Sequence, residues 1–144
     1  MSPKIAMRQI LALFAVLFIG ACGAPLQRYQ QAVSTAATAT AVGYHLLDAY
    51  DADKMAGITA KAKAGHPAES QAELGAYLPQ YKAGRKALDV ASIAIEAAPA
   101  AKAAIQAAKD KNTEVGKWIS ILVKAVFEVQ AALAPFNLKL PGVL

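Results

Sequence analysis

The chain is expected to be all-α, an Ala-rich antiparallel bundle of about four helices, after an N-terminal signal peptide. Three observations predict it. About a quarter of the 144 residues are Ala, the strongest helix former. Period-2 runs of β-branched residues, the mark of strands, are scarce. Toward the carboxyl end, Val115, Ile119, Leu122, Val126, Val129 and Leu133 recur at helical spacing and mark one face. An apolar share of 56% against 17% charged residues excludes a disordered chain. The length suffices for one domain with a real core. One Cys excludes a disulfide framework, a zinc ribbon and a multi-Cys cluster.

The first element is an address. Lys4 and Arg8 form a positive start, Ile10 to Ile19 is unbroken hydrocarbon, and Gly20-Ala21-Cys22-Gly23-Ala24-Pro25 stops it. A spanning helix needs about 20 apolar residues, so the run is too short to cross a bilayer and reads as an export signal.

Ile19-Gly20-Ala21-Cys22 resembles the lipobox of bacterial lipoproteins: an aliphatic residue, two small residues, then Cys. The resemblance covers residues 1 to 22. It implies a signal peptide over 1–21, cleavage between Ala21 and Cys22, and a diacylglycerol on the Cys22 thiol. Residues 22–26 would then be a lipidated tether and the membrane a partner. Two or three acyl chains hold stably where one binds marginally. Gly23 rather than Asp after the Cys implies an outer membrane facing the periplasm, where the host has one. Loss of Lys4 and Arg8 leaves thirteen basic against ten acidic residues, about +3. The nearest approaches to a basic cluster are Lys82, Arg85, Lys86 and Lys109, Lys111, too sparse for a nucleic-acid footprint.

The bundle is expected over 27–134. From Gln30 to Leu47 there is no formally charged side chain. Ala32, Ala36, Ala39 and Gly43 form a stripe of small residues that lets another backbone approach closely. It reads first as the packing face of a central bundle helix, with a docking face for a partner helix as the alternative. Asp48, Asp51 and Asp53 then turn the chain polar, and a weaker helical piece carries Met55 and Ile58. Gly65-His66-Pro67 is the best loop signal.

From about 68 to 110 the chain is again helical. Ser70 and Glu73 have the spacing of a capping box. Tyr77, Tyr81, Leu88 and Ile95 share a face, with Gly84 and Ala91 between them. One rod of this length would reach about 65 Å, so Pro79 and Pro99 are expected to break or kink it, Pro99 as the first turn of a new helix. The last helix has Asn112 as its expected N-cap and Glu114 in the first turn, where the dipole favours negative charge. Trp118, Ile121, Val123 and Phe127 should widen its apolar face. A transmembrane reading would put Lys124 and Glu128 in lipid. Pro135 stops the helix, and 135–144 is a non-helical, apolar tail expected to fold back over the bundle.

The chemistry of catalysis is thinly represented. His45 and His66 are the two histidines, and HExxH, CxxCH, GxSxG and GxxxxGK[ST] are missing. His45 with Asp48 offers two ligands where a site needs three or four. Glu69 and Glu73 lack the Glu-x-x-His partners of a carboxylate-bridged centre. No catalytic residue, metal or cofactor is expected. The expected function is a non-enzymatic, membrane-anchored lipoprotein whose helical domain binds an envelope protein or supports the envelope. The alternative is a carrier of lipid or a small hydrophobic ligand in the periplasm.

Overall fold

The structure, a computed structural model, describes residues 24–140. Ala21, Cys22 and residues 141–144 lie outside the described residues. Four α-helices succeed one another: α1 (Pro25–Lys63), α2 (Pro67–Glu96), α3 (Ala98–Ala107) and α4 (Lys111–Leu133), with a short 3-10 turn over Ala134–Phe136. The expected all-α bundle of about four helices is what forms.

Local chemistry sets the helix starts. Pro occupies the first turn of α1, α2 and α3, where its missing N–H costs nothing and its fixed φ favours helix. At α4 the N-cap is Asp110, not Asn112. Its carboxylate accepts from the backbone N–H of Asn112 and Thr113, both at 3.1 Å, and from Thr113 Oγ1 at 2.6 Å. Asn112 is displaced from that role because Asp110 already satisfies the free donors, while the Asn112 side-chain oxygen accepts from Arg28.

Three other expectations are corrected. The piece after Asp53 is continuous with α1, whose 39 residues span about 58 Å. Asp48 and Asp51 do not interrupt it because each reaches across to α2, to Arg85 and Tyr77. Pro99 does open a new helix, but α2 runs unbroken through Pro79. Pro79 and Gly75, four residues earlier, are both exposed, so the carbonyl left without its helical donor faces water. Ser70 and Glu73 make no capping box either, since α2 starts three residues earlier at Pro67. Ser70 is buried and its Oγ donates to the Ile58 carbonyl at 2.9 Å.

Cross-helix contacts fix the topology. Tyr44 meets Asp89, Asp48 meets Arg85, Asp51 meets Tyr77 and Lys54 meets Glu73, so α1 and α2 are antiparallel. Arg28 meets Asn112 and Tyr50 meets Phe136, so α4 runs parallel to α1. The three long helices pack against one another, and α3 crosses the end where α1 begins, linking α2 to α4. Because α4 is shorter, it ends beside the middle of α1, and the far parts of α1 and α2 continue as a two-helix hairpin.

The core of the three-helix part rests on a reciprocal arrangement. Leu88 of α2 sits over Gly43 of α1, and Leu47 of α1 sits over Gly84 of α2; both leucines are fully buried. A Cβ on Gly43 would stand 2.7 Å from Leu88 Cδ2 and 3.3 Å from Val129 Cγ1, and one on Gly84 3.0 Å from Leu47 Cδ2. α4 closes the third side through Val115, Ile119, Leu122, Val126, Val129 and Leu133, all buried as their spacing requires. Its flanks are wetter than expected: Trp118 and Val123 are half-buried, but Ile121 and Phe127 are 48% and 40% exposed. Two neighbouring helices cover only a limited arc of a third, and these two residues lie on either side of it. By length and composition Lys111–Phe136 is apolar enough to cross a membrane. In the fold it packs on α1 and α2, with Lys124 and Glu128 paired on its outer side at 4.0 Å.

The described part of the tail folds back. Phe136 is buried against Tyr50 and Tyr77, with ring centroids 5.1 and 6.1 Å apart. Asn137 turns the chain in a left-handed conformation, φ 56°, which Asn tolerates better than most residues. The Gln130 side chain then clasps the returning chain, donating to the Leu138 carbonyl at 3.4 Å and accepting from the Leu140 N–H at 3.1 Å. Leu140 is thereby buried near Gly43.

Candidate functional site

Cys22, the residue to which the sequence assigns a role, lies outside the described residues, but its position along the chain constrains it. α1 begins at Pro25, three residues on, and continues without a break to Lys63. Three residues reach at most about 10 Å when extended. The described chain begins at the end where α1 starts, α2 stops and α4 starts.

α3 lies across that end with Ala101 and Ile105 turned inward and buried, and Pro99, Lys102, Ala103 and Gln106 exposed. Tyr29 is buried, and burial pushes its phenol pKa up. Its hydroxyl and that of buried Thr40 have no hydrogen-bond partner among the described residues. Eleven positions apart on α1, the two hydroxyls form no common site. Asp110 is held below the usual carboxylate range by hydrogen bonds from the Thr113 side chain and backbone. Glu114 accepts from Trp118 Nε1 at 3.0 Å and from Lys117 at 3.2 Å, so it is engaged on its own helix.

The small-residue face faces inward. Ala32, Ala36, Ala39 and Gly43 are all buried. At Gly43 the approaching side chains are Leu88, Val129 and Leu140 of the same chain. The close approach these residues permit is used within the bundle, so an external helix has no access to that stripe in this fold. In the sequence Gly84 reads only as filler between larger residues. Its matching role opposite Leu47 depends on which register α2 adopts, which no local pattern states.

The far hairpin carries its own set of polar contacts. Glu73 accepts from Lys54 at 2.5 Å and also from Lys61. Hydrogen bonds from Lys54 first, then Lys61, bring the Glu73 pKa down to about 2. The same contact raises that of Lys54. Tyr77 donates to Asp51 at 2.7 Å, and burial followed by that bond raises its phenol pKa. Tyr50, Tyr77, Tyr81 and Phe136 form an aromatic cluster where α4 gives out. Nearer the middle, Tyr44 donates to Asp89 at 2.5 Å, and the Arg85 guanidinium lies 4.9 Å from its ring centre.

The candidate ligands are dispersed. His45 and His66 are both exposed, on α1 and in the first connection, and His66 Nδ1 lies 3.4 Å from Glu69. Among the described residues no three His, Cys, Asp or Glu side chains gather as a metal site would need. What the arrangement offers is surface: a basic end where α1 starts, and a polar hairpin at the far end. The chain matches no protein-family model, and no curated protein or solved structure matches it.

Proposed function

We propose that this chain is a membrane-anchored bacterial lipoprotein of the cell envelope, held by lipid on Cys22. Its helical domain is a non-enzymatic module that binds an envelope protein or supports the envelope. One observation carries the reading: Ile19-Gly20-Ala21-Cys22 stands directly behind a basic start and a ten-residue apolar run. The start of α1 at Pro25 supports it, because a rigid helix so close to the anchor presents the domain at a defined distance from the bilayer. The tight packing at the level of Gly43 and Gly84 favours an interaction or structural role over a carrier. Leu47 and Leu88 are seated over glycines, and Leu140 covers the notch at Gly43, leaving no room between α1 and α2 at that level.

The test is processing. In the wild type the mature mass should correspond to loss of residues 1–21 and gain of a diacylglycerol. Cys22→Ser should stay uncleaved and free of lipid. A normal mature mass in that variant overturns the lipoprotein reading.

A further inference from the structure

Lipid on Cys22 fixes one point of the chain, but not which surface of the domain meets the headgroups. The charges near that point are unevenly engaged. Of the acidic side chains there, Asp110 is bound as the cap of α4, where the positive end of the helix dipole offsets its charge. Glu114 is held by Lys117 and Trp118. Only Glu96, at the end of α2, has no partner among the described residues. Lys102, Lys109 and Lys111, by contrast, are exposed and make no ion pair among the described residues. The far hairpin has the opposite character. There Lys54 and Lys61 both close on Glu73, and exposed Asp53 and Glu69 outnumber Lys63, the one exposed lysine of that end without an ion pair among the described residues.

The shape of the end matters as much. The exposed residues of α3 there are Pro99, Ala100, Lys102, Ala103, Gln106 and Ala107, mostly small and none acidic. Lys109, in the connection, and Lys111, the first residue of α4, follow it in the chain and are likewise exposed.

We propose that the outer face of α3, with Lys102, Lys109 and Lys111, is a docking surface for a bilayer containing anionic phospholipid, which rests on the lipid reading of Cys22. With lipid on Cys22, the start of α1 at this end lies within about 10 Å of the bilayer surface, close to the Debye length of about 8 Å at physiological salt. The lysines therefore sit within the attractive field of the headgroups. Each lysine near such a surface changes partition about fivefold, so three change it about a hundredfold. Because the anchor already supplies a high local concentration, the effect is one of orientation. The α3 end lies against the headgroups, and α1 carries the far hairpin away from them.

Trp118, the single Trp, lies in the second turn of α4 near this end and is half-buried. Energy transfer from Trp118 to a dansyl-labelled headgroup reads how near the end lies to the lipid. The full protein is reconstituted in vesicles of equal parts phosphatidylglycerol and phosphatidylethanolamine, and in phosphatidylcholine alone. Transfer should be at least about twofold higher on the anionic vesicles. It should fall to the zwitterionic value in Lys102→Gln/Lys109→Gln/Lys111→Gln and at about 0.5 M salt. Lys82→Gln/Lys86→Gln, which lowers net charge in the middle of the bundle, should keep it high. Equal transfer on both vesicles overturns the docking surface, and so does an equal drop in the Lys82/Lys86 control. The lipid reading is judged separately, by the mass of the same preparation. Unlipidated protein that still responds to anionic vesicles retains the surface and removes the anchor. Lipidated protein with no response does the reverse.

Discussion

α1 and α2 lie side by side along most of their length, yet the two halves of their contact are held by different physics. Where α4 covers them, the buried centre of the contact is made by Leu47, Leu88, Gly43, Gly84 and a row of alanines, with Tyr44–Asp89 and Asp48–Arg85 only at its outer edge. Beyond the end of α4 it is made by Ser70 on a carbonyl, Tyr77 on Asp51, and two lysines on Glu73. The difference is geometric in origin. Three helices enclose an interior from which water is excluded, and small residues there let larger ones be buried completely. A pair encloses almost nothing, so its contacts are directional and half-wet. Aromatic rings at Tyr50, Tyr77 and Phe136 mark the boundary between the two regimes.

The comparison breaks first at Leu88. Leu88→Ala should destabilise by about 3 kcal/mol, with the cavity left at Gly43 adding to the lost burial. Leu74→Ala, in the half-covered hairpin, should cost less than half of that by urea unfolding. Similar losses at the two positions would show that the halves are equivalent after all.

The next test uses two glycines of one helix. Gly43→Ala should cost about 1–2 kcal/mol because the added methyl meets Leu88, Val129 and Leu140. Gly57→Ala meets nothing within 4 Å and should stabilise by about 0.5–1 kcal/mol through helix propensity. In a Leu88→Ala background the Gly43→Ala cost should vanish, since the methyl then enters vacated space. A cost unchanged by Leu88→Ala would mean the two residues do not share that space.

The smallest effect belongs to Glu73 and sharpens the comparison through pH. Its pKa falls from 4.5 to about 2 on folding, so its contribution is fully present above about 4.5 and is lost as pH falls toward 2. The melting temperature of Glu73→Gln should therefore lie below that of the wild type at pH 7, and the gap should close on acidification through that window. It should also shrink with added salt. A gap independent of both would point to packing, not charge.

The parts of the fold that are readable from the chain are those a single helix determines for itself. The stripe from Val115 to Leu133 comes from spacing alone, and Pro99 and the Gly65–Pro67 connection come from backbone chemistry. The departures arise where a second helix decides. Asn112 yields the cap because Arg28, distant in sequence, takes its side chain, while Asp110 is nearer the free N–H groups. Ser70 and Glu73 have capping-box spacing, but their partners are Ile58, Lys54 and Lys61 on α1. Exposure of Ile121 and Phe127 depends on how wide an arc α1 and α2 cover. The small-residue stripe is legible as a close-packing face; that Leu88 and Leu140 fill it is not. The basic end can be suspected from Lys109 and Lys111, but Lys102 joins them only because α3 turns across the bundle.

The seat of Leu140 beside Gly43 has a consequence for the order in which the molecule can be completed. Chains are made from the amino end, so α1 and α2 exist well before the residue that closes the notch between them and α4. Their antiparallel contact is local in sequence and can form early. The edge near Gly43, Leu88 and Val129 stays open until Leu140 has been added. A product ending before Leu138 would have every helix of the described fold and still lack that closure. It would carry an apolar seam of the kind that quality-control proteases recognise in unfinished chains.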